Sequence, residues 1–267
     1  MWYWIKALTI IMMLININSI SAKAVAQAIK SSSTIDKQVV IDKFIKNMLA
    51  ELNIQSATSI AVVKGDKIVY QNTFGYADIE NKAEASKETL FYIASTTKPL
   101  FALTVLQALD NSSYDLQFSL AEMFPEITFD ASIQADKVTI EHLLAHTSGL
   151  DDLYLTTAVS TSGVHNPQDK LKMLAKLFPS EESKLGAFDY TNLGYNILSI
   201  WYEKDFDLTW QEGINKFVFS RLHMKHSTAV VSEANKNNWL LAKPYSFFAP
   251  EQSKALYLTK KDNTMHA

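Results

Sequence analysis

The 267-residue sequence contains no cysteine. That excludes disulfides, thiolate metal sites, a cysteine nucleophile and a lipid-anchored N-terminal cysteine together. Arginine is nearly absent as well, with Arg221 the single example, so lysine carries the positive charge. Neither sign of charge dominates: 25 basic residues stand against 28 acidic ones, for a formal net charge of −3. No basic footprint for nucleic acid follows from such a balance, and no nucleic-acid partner is expected. Glycine is sparse, at 7 residues, and no Gly-x-Ser-x-Gly elbow occurs, which removes the nucleophile turn of an α/β-hydrolase. No hydrophobic stretch of membrane-spanning length follows the N-terminal one.

Almost half of the residues, 48%, are hydrophobic, enough for one sizeable core. At the N-terminus Lys6 precedes an apolar run from Ala7 to Ile15, followed by the small-residue pairs Ala22/Ala24, Ala24/Ala26 and Ala26/Ala28. This is the tripartite layout of a secretory signal peptide, and the run is too short to span a bilayer comfortably. The expectation is a signal peptide over 1–28 and a mature domain over 29–267. The product is then exported, periplasmic or secreted, with no stable membrane anchor after cleavage.

Along the mature chain the period changes several times. Val39, Val40, Phe44, Ile45, Met48 and Leu49 predict one side of a helix that begins near Ser33/Thr34. The β-rich runs Thr58–Lys64 and Lys67–Tyr76, separated by Gly65-Asp66, predict a hairpin. From Thr89 to Leu109 the pattern is helical and apolar enough for burial on most sides. Further helices are expected over Thr139–Ala145, Pro167–Leu177, Leu193–Glu203 and Thr209–Phe219, with a polar loop over Thr156–Gln168. After Ser227 only Thr228–Val231 and Ala255–Leu258 read as strands. A hairpin is marginal alone, so the expected sheet is incomplete.

Three short motifs carry chemistry. In Ile93-Ala94-Ser95-Thr96-Thr97-Lys98-Pro99, Ser95 and Lys98 are three apart, which places them on one helical face within hydrogen-bond reach. A serine at a helix start meets unpaired N–H groups and the positive end of the dipole, an environment suited to a developing anion. A lysine in apolar surroundings can take the hydroxyl proton. The second motif is Phe188-Asp189-Tyr190-Thr191-Asn192-Leu193-Gly194-Tyr195. There a tyrosine can serve as acid or base, and an amide two residues on can hold a substrate carbonyl. Tyr70-Gln71-Asn72 also fits Tyr-x-Asn, but lies in the hairpin, where it is expected only to decorate a strand. The third is Leu143-Leu144-Ala145-His146-Thr147-Ser148-Gly149-Leu150, preceded by Glu141-His142. His142 and His146 have zinc-like spacing, yet Leu143 stands where His-Glu-x-x-His needs glutamate and no third ligand presents itself. No metal and no cofactor are expected. His146, Thr147 and Ser148 instead suit the backbone groups of a helix end.

Taken in order, these motifs resemble the penicillin-recognising serine hydrolases, the group of class C β-lactamases, D-Ala-D-Ala carboxypeptidases and related esterases. The resemblance also takes in the hairpin from Ser59 to Tyr70, Phe74-Gly75-Tyr76-Ala77-Asp78 and Leu222-His223-Met224-Lys225-His226, and so covers most of the mature chain. It implies an α/β fold of β-lactamase/penicillin-binding-protein type: an antiparallel sheet flanked by helices, plus a mainly helical subdomain. It implies acyl transfer, with Ser95 as nucleophile, Lys98 and Tyr190 sharing the proton and Asn192 orienting the substrate. One oxyanion donor would be the Ser95 N–H. The substrate would be a small molecule or peptide carrying a peptide, amide, ester or β-lactam carbonyl. The family's Lys-Thr-Gly or His-x-Gly strand is not found after Asn192. Lys243-Pro244-Tyr245 and Lys260-Lys261-Asp262 lack the glycine, and His266-Ala267 closes the sequence. The resemblance therefore implies a domain without its C-terminal sheet strands, and admits a non-catalytic remnant or binding module of the same fold as the alternative.

Overall fold

The structure, a computed structural model, describes residues 34–152, 155–156 and 167–245. The expected signal peptide, the central part of the Thr156–Gln168 loop and the Ala255–Leu258 strand lie outside the described residues. The described residues fall into two compact units, one comprising 34–89 with 242–245 and the other 90–241.

In the first unit, helix α1 (Thr34–Glu51) is followed by strands β1 (Thr58–Lys64) and β2 (Lys67–Phe74). The strands form the expected antiparallel hairpin, closing at Lys64 opposite Lys67. Gly65 opens the two-residue loop at φ +62°, a backbone state that glycine reaches without a Cβ penalty. The pairing steps from Val62–Tyr70 to Val63–Ile68, so Val69 forms a bulge. Ile45 and Leu49 of α1 bury against Tyr70 and Phe74 of β2, whereas Val39 is exposed and does not share the buried face.

Tyr70 and Asn72 do more than decorate the strand: both donate to Asp42 Oδ1 of α1, at 2.6 and 2.8 Å. These bonds hold the Asp42 carboxyl below its ordinary range, while burial and the Asp42 bond push the Tyr70 phenol up. The short strands β3 (Tyr76–Asp78) and β4 (Ala83–Glu84) pair antiparallel. Lys243 reaches back to Asp78 at 2.7 Å, and the Tyr245 hydroxyl accepts from the Ile79 N–H at 2.7 Å.

The second unit is mainly helical. A 3-10 turn over Ala94–Thr96 leads into α2 (Thr97–Leu109), and the short α3 (Leu120–Met123) and α4 (Ile140–Leu144) follow. Then come β5 (Leu150–Asp151), α5 (Pro167–Leu174), β6 (Phe178–Pro179), α6 (Leu193–Phe206), α7 (Trp210–Ile214) and α8 (Val231–Lys236). β5 and β6 pair antiparallel, and Leu90 bridges Leu241 in parallel.

The 89–93 segment is not helical, so the regular helix starts at Thr97 rather than Thr89. Pro99, in the first turn, suits such a start, because its missing N–H is not needed there. α2 buries Phe101, Val105, Ala108 and Leu109 but leaves Leu103 and Leu106 partly in solvent, so one face remains uncovered. α6 is enclosed from Leu193 to Tyr202 and forms the centre of the core with Phe101, Leu143 and Trp210. The expected Thr209–Phe219 helix is α7 continued by a single π-turn, Asn215–Phe219.

Thr228–Val231 is not a strand. Val231 opens α8, and the Thr228 hydroxyl accepts from the Val230 N–H and bonds Glu233, a side-chain turn that competes with extension. Among the described residues, no helix is long and apolar enough to cross a membrane.

Candidate active site

The site lies within the second unit, where three separate segments converge. Ser95 sits in the 3-10 turn ahead of α2. The chain enters that turn through Ile93 at φ −98°, ψ 0° and Ala94 at φ +45°. A left-handed alanine costs about 1–2 kcal/mol. This backbone state lies next to Ser95, in the turn at the end of the helix rather than inside it.

One turn on, Lys98 is the innermost residue of the motif, with 5% of its surface exposed. Its Nζ donates to Ser95 Oγ at 3.1 Å and to Asn192 Oδ1 at 2.9 Å. The same nitrogen stands 5.0 Å from the centroid of the Tyr190 ring and 5.7 Å from that of Tyr195. Among the described residues no carboxylate pairs with it. Neutral oxygens and aromatic faces surround the amine.

Asn192 occupies the N-cap position of α6, where asparagine ordinarily bonds its own helix. Here no side-chain cap forms, and the amide oxygen goes to Lys98. Tyr190, two residues earlier, is 48% exposed and presents its hydroxyl to Lys98 and Ser95. Burial raises the phenol, but the Lys98 and Ser95 hydrogen bonds and the Lys98 charge outweigh it, so Tyr190 ionises below its ordinary value. All four residues singled out from the sequence, Ser95, Lys98, Tyr190 and Asn192, are thus brought together. Tyr195 and Ala94 were not foreseen. Tyr195 lies three residues after Asn192 on α6, a spacing that places it on the same face. The Ala94 backbone leaves no sequence signal.

The histidine motif lies beside this group. His142 supplies the N3 partner of a capping box: its Nδ1 accepts from the Thr139 N–H at 3.2 Å and faces the Thr139 hydroxyl at 2.8 Å. His146 points the other way, toward Tyr190 and Tyr195. Thr147 serves the helix end, its N–H and hydroxyl donating to the His142 carbonyl at 2.9 and 3.5 Å, whereas Ser148 Oγ accepts from the Leu150 N–H at the start of β5. No group of three or more potential metal ligands occurs among the described residues.

Two glycines set the spacing of these segments. A Cβ on Gly149, at φ +64°, would fall 2.3 Å from the Leu185 nitrogen, and one on Gly194 would fall 2.5 Å from the Leu143 carbonyl oxygen. Both positions need glycine for the approach of the neighbouring backbone.

Comparison with known proteins identifies the family. The chain matches the Beta-lactamase family over residues 41–240 and belongs to that family, one of serine hydrolases. Protein flp of Staphylococcus aureus (strain N315) is 29% identical over 198 residues, which cover 73% of this chain and 39% of flp. Penicillin-binding protein 4* of Bacillus subtilis (strain 168) is 29% identical over 170 residues, covering 60% of this chain and 35% of that protein. The chain therefore spans less than half the length of these curated relatives.

Among solved structures, a class C beta-lactamase superimposes with a TM-score of 0.67 at 21% identity, over 85% of this chain and 58% of that one. The octameric penicillin-binding protein homologue from Pyrococcus abyssi gives 0.64 at 24% identity, over 84% and 52%. At these identities the likeness is one of fold, the β-lactamase/penicillin-binding-protein fold.

Proposed function

We propose that this chain is an exported serine hydrolase that works through an acyl-enzyme. The observation that carries the reading is the placement of Lys98 Nζ, bonded at once to Ser95 Oγ and Asn192 Oδ1. Ser95 Oγ attacks the carbonyl of a peptide, amide, ester or β-lactam. Its proton passes to the Tyr190–Lys98 pair, in which the ammonium favours the phenolate. The Ser95 N–H, at the start of the turn before α2, donates to the oxygen that becomes negative.

As the tetrahedral species collapses, the carbonyl re-forms and the bond to the leaving group breaks. The leaving group takes the proton from the same pair. Water then adds to the ester, the pair removes its proton, and the acid departs as Ser95 Oγ is reprotonated. Asn192, whose amide oxygen accepts from Lys98 beside Ser95, is the residue that orients the substrate amide. Export rests on the Lys6 and Ala7–Ile15 pattern.

The test is the intact mass of the protein after exposure to a reactive penicillin and to an activated ester, with Ser95→Ala alongside. A covalent adduct on the parent alone is expected. A folded parent that forms no adduct with either reagent overturns the hydrolase reading in favour of a binding module. Export is checked separately, by the presence of a shortened N-terminus outside the cytoplasm.

A further inference from the structure

We infer that His146 is a positioning residue for Tyr190, gripping the Tyr-x-Asn segment on both sides of the phenol. The inference rests on the hydrolase reading for its consequence, and on geometry alone for the grip.

Three contacts make the clamp. The His146 carbonyl accepts from the Asp189 N–H at 2.8 Å, just before Tyr190. Its Nδ1 accepts from the Thr191 N–H at 3.4 Å, just after Tyr190. Between these bonds the imidazole lies against the Tyr190 ring, with centroids 4.4 Å apart and planes 35° apart. The opposite constraint comes from Tyr195, whose ring is 5.2 Å from the imidazole and whose hydroxyl donates to the Leu144 carbonyl at 3.2 Å. Phe188 adds an edge contact at 6.2 Å.

His146 can present both its carbonyl and its ring to one segment because its backbone is left-handed, at φ +58°. A residue that merely ended α4 would need neither ring contact nor the bond to Thr191. The clamp also fixes which way the phenol points. Tyr190 is half exposed and its segment is not in a regular element, so little else restrains the ring. Lys98 and Ser95 hold its hydroxyl from one side only.

The direct readout is the ionisation of Tyr190 itself, followed by NMR of ring-labelled tyrosine and assigned with Tyr190→Phe. Two variants separate the parts of the clamp. His146→Asn keeps an acceptor near the Nδ1 position and tolerates positive φ, but lacks the ring. His146→Phe keeps a ring and lacks the acceptor. In a folded variant the phenol moves up toward its ordinary value of about 10. Acylation by the reactive penicillin falls by about 10²-fold, the usual penalty for a small misplacement.

If either folded variant leaves Tyr190 titrating as in the parent, and acylation unchanged, the inference for that part is overturned and His146 is only a helix end. If neither parent nor variant is acylated, the hydrolase reading fails. The titration of Tyr190 still decides the clamp, since it needs no turnover.

Discussion

Gly194 of α6 lies against the Leu143 carbonyl of α4, so close that a Cβ would stand 2.5 Å from the oxygen. The two helices thereby bring the end of α4, which bears His146, beside the segment that bears Tyr190 and Asn192. Gly194→Ala forces backbone from backbone, where no side chain can swing aside. The expected cost is about 1–3 kcal/mol, as for other overpacked cores. It should appear as a lower midpoint in urea at unchanged slope. Acylation by penicillin should fall further than the stability loss alone accounts for, because the shift is transmitted to both arms of the site. A variant with parental stability and acylation would show that the approach can relax.

Ala94 predicts the reverse. Its φ of +45° is costly for alanine and free for glycine. Ala94→Gly should remove that strain, offset in part by the greater freedom of glycine in the unfolded chain. The net expectation is a gain of up to about 1 kcal/mol in thermal or urea unfolding. If the strain serves to fix Ser95, acylation slows while stability rises. Slower acylation without any stability gain would argue against strain at this residue.

Asp42 is tied by Tyr70 and Asn72 through one oxygen. Its carboxyl is held below the unfolded value, so the unfolded chain takes up the proton first as the solution is acidified. The stabilisation is complete above the unfolded value of about 3.9 and is lost as pH falls through the lower folded value. Tyr70→Phe should cost about 1.5 kcal/mol near neutrality, the lower end for a hydrogen bond to a charged group. The variant should also show a shallower loss of stability between about pH 5 and pH 2. Parallel acid curves for parent and variant would assign the acid sensitivity elsewhere.

How much of this was legible beforehand differs from segment to segment. The hairpin could be read because β-branched runs flank Gly65-Asp66. Ser95 and Lys98 could be paired because their spacing is helical, and a 3-10 turn running into a helix preserves that relation. Tyr190 and Asn192 were found as a motif, but no local pattern says that Asn192 gives its oxygen to Lys98 instead of capping α6. The role of Tyr70-Gln71-Asn72 was missed for the same reason: its partner Asp42 is 28 and 30 residues away. Thr228–Val231 was misread as a strand because β-branched residues also serve as turn and helix-entry residues once a threonine hydroxyl bonds the backbone. The backbone state of Ala94 carries no composition signal, and that of His146 carries only the weak preference of histidine for positive φ.

His146 gives a second pH dependence, closer to neutrality than that of Asp42. Burial first, and then the nearby Lys98 charge, hold its imidazole below the ordinary value. The groups facing it are Lys98 from α2, Asp189 and Tyr190 from the segment before α6, and Tyr195 from α6. Its folded value is lowered, so the stabilisation from the neutral ring is present above about 6.5. It is lost as pH falls from there through the folded value. Protonation also removes the Nδ1 acceptor from the Thr191 N–H. Unfolding midpoints taken from about pH 7.5 to pH 5 should fall in the parent and fall less steeply in His146→Asn, whose amide does not titrate. Equal slopes would mean that His146 does not change charge on unfolding in this range.

Lys98 sets stability against chemistry. Its amine is buried among neutral oxygens and aromatic rings, and among the described residues no carboxylate offsets its desolvation. A site evolved for folding alone would place an apolar side chain there. Lys98→Met keeps the length of the side chain, fills the same space and removes the charge. It should unfold at the same temperature as the parent or higher, though Asn192 Oδ1 and Ser95 Oγ lose a donor and so limit the gain. Acylation should fall by about 10²–10⁴-fold, the range for loss of a group that moves the proton. The Tyr190 phenol, deprived of the ammonium, should titrate above its parental value. Differential scanning calorimetry and adduct formation on the same sample separate the outcomes. A destabilised variant that still acylates would make Lys98 a structural residue and leave Tyr190 to act alone.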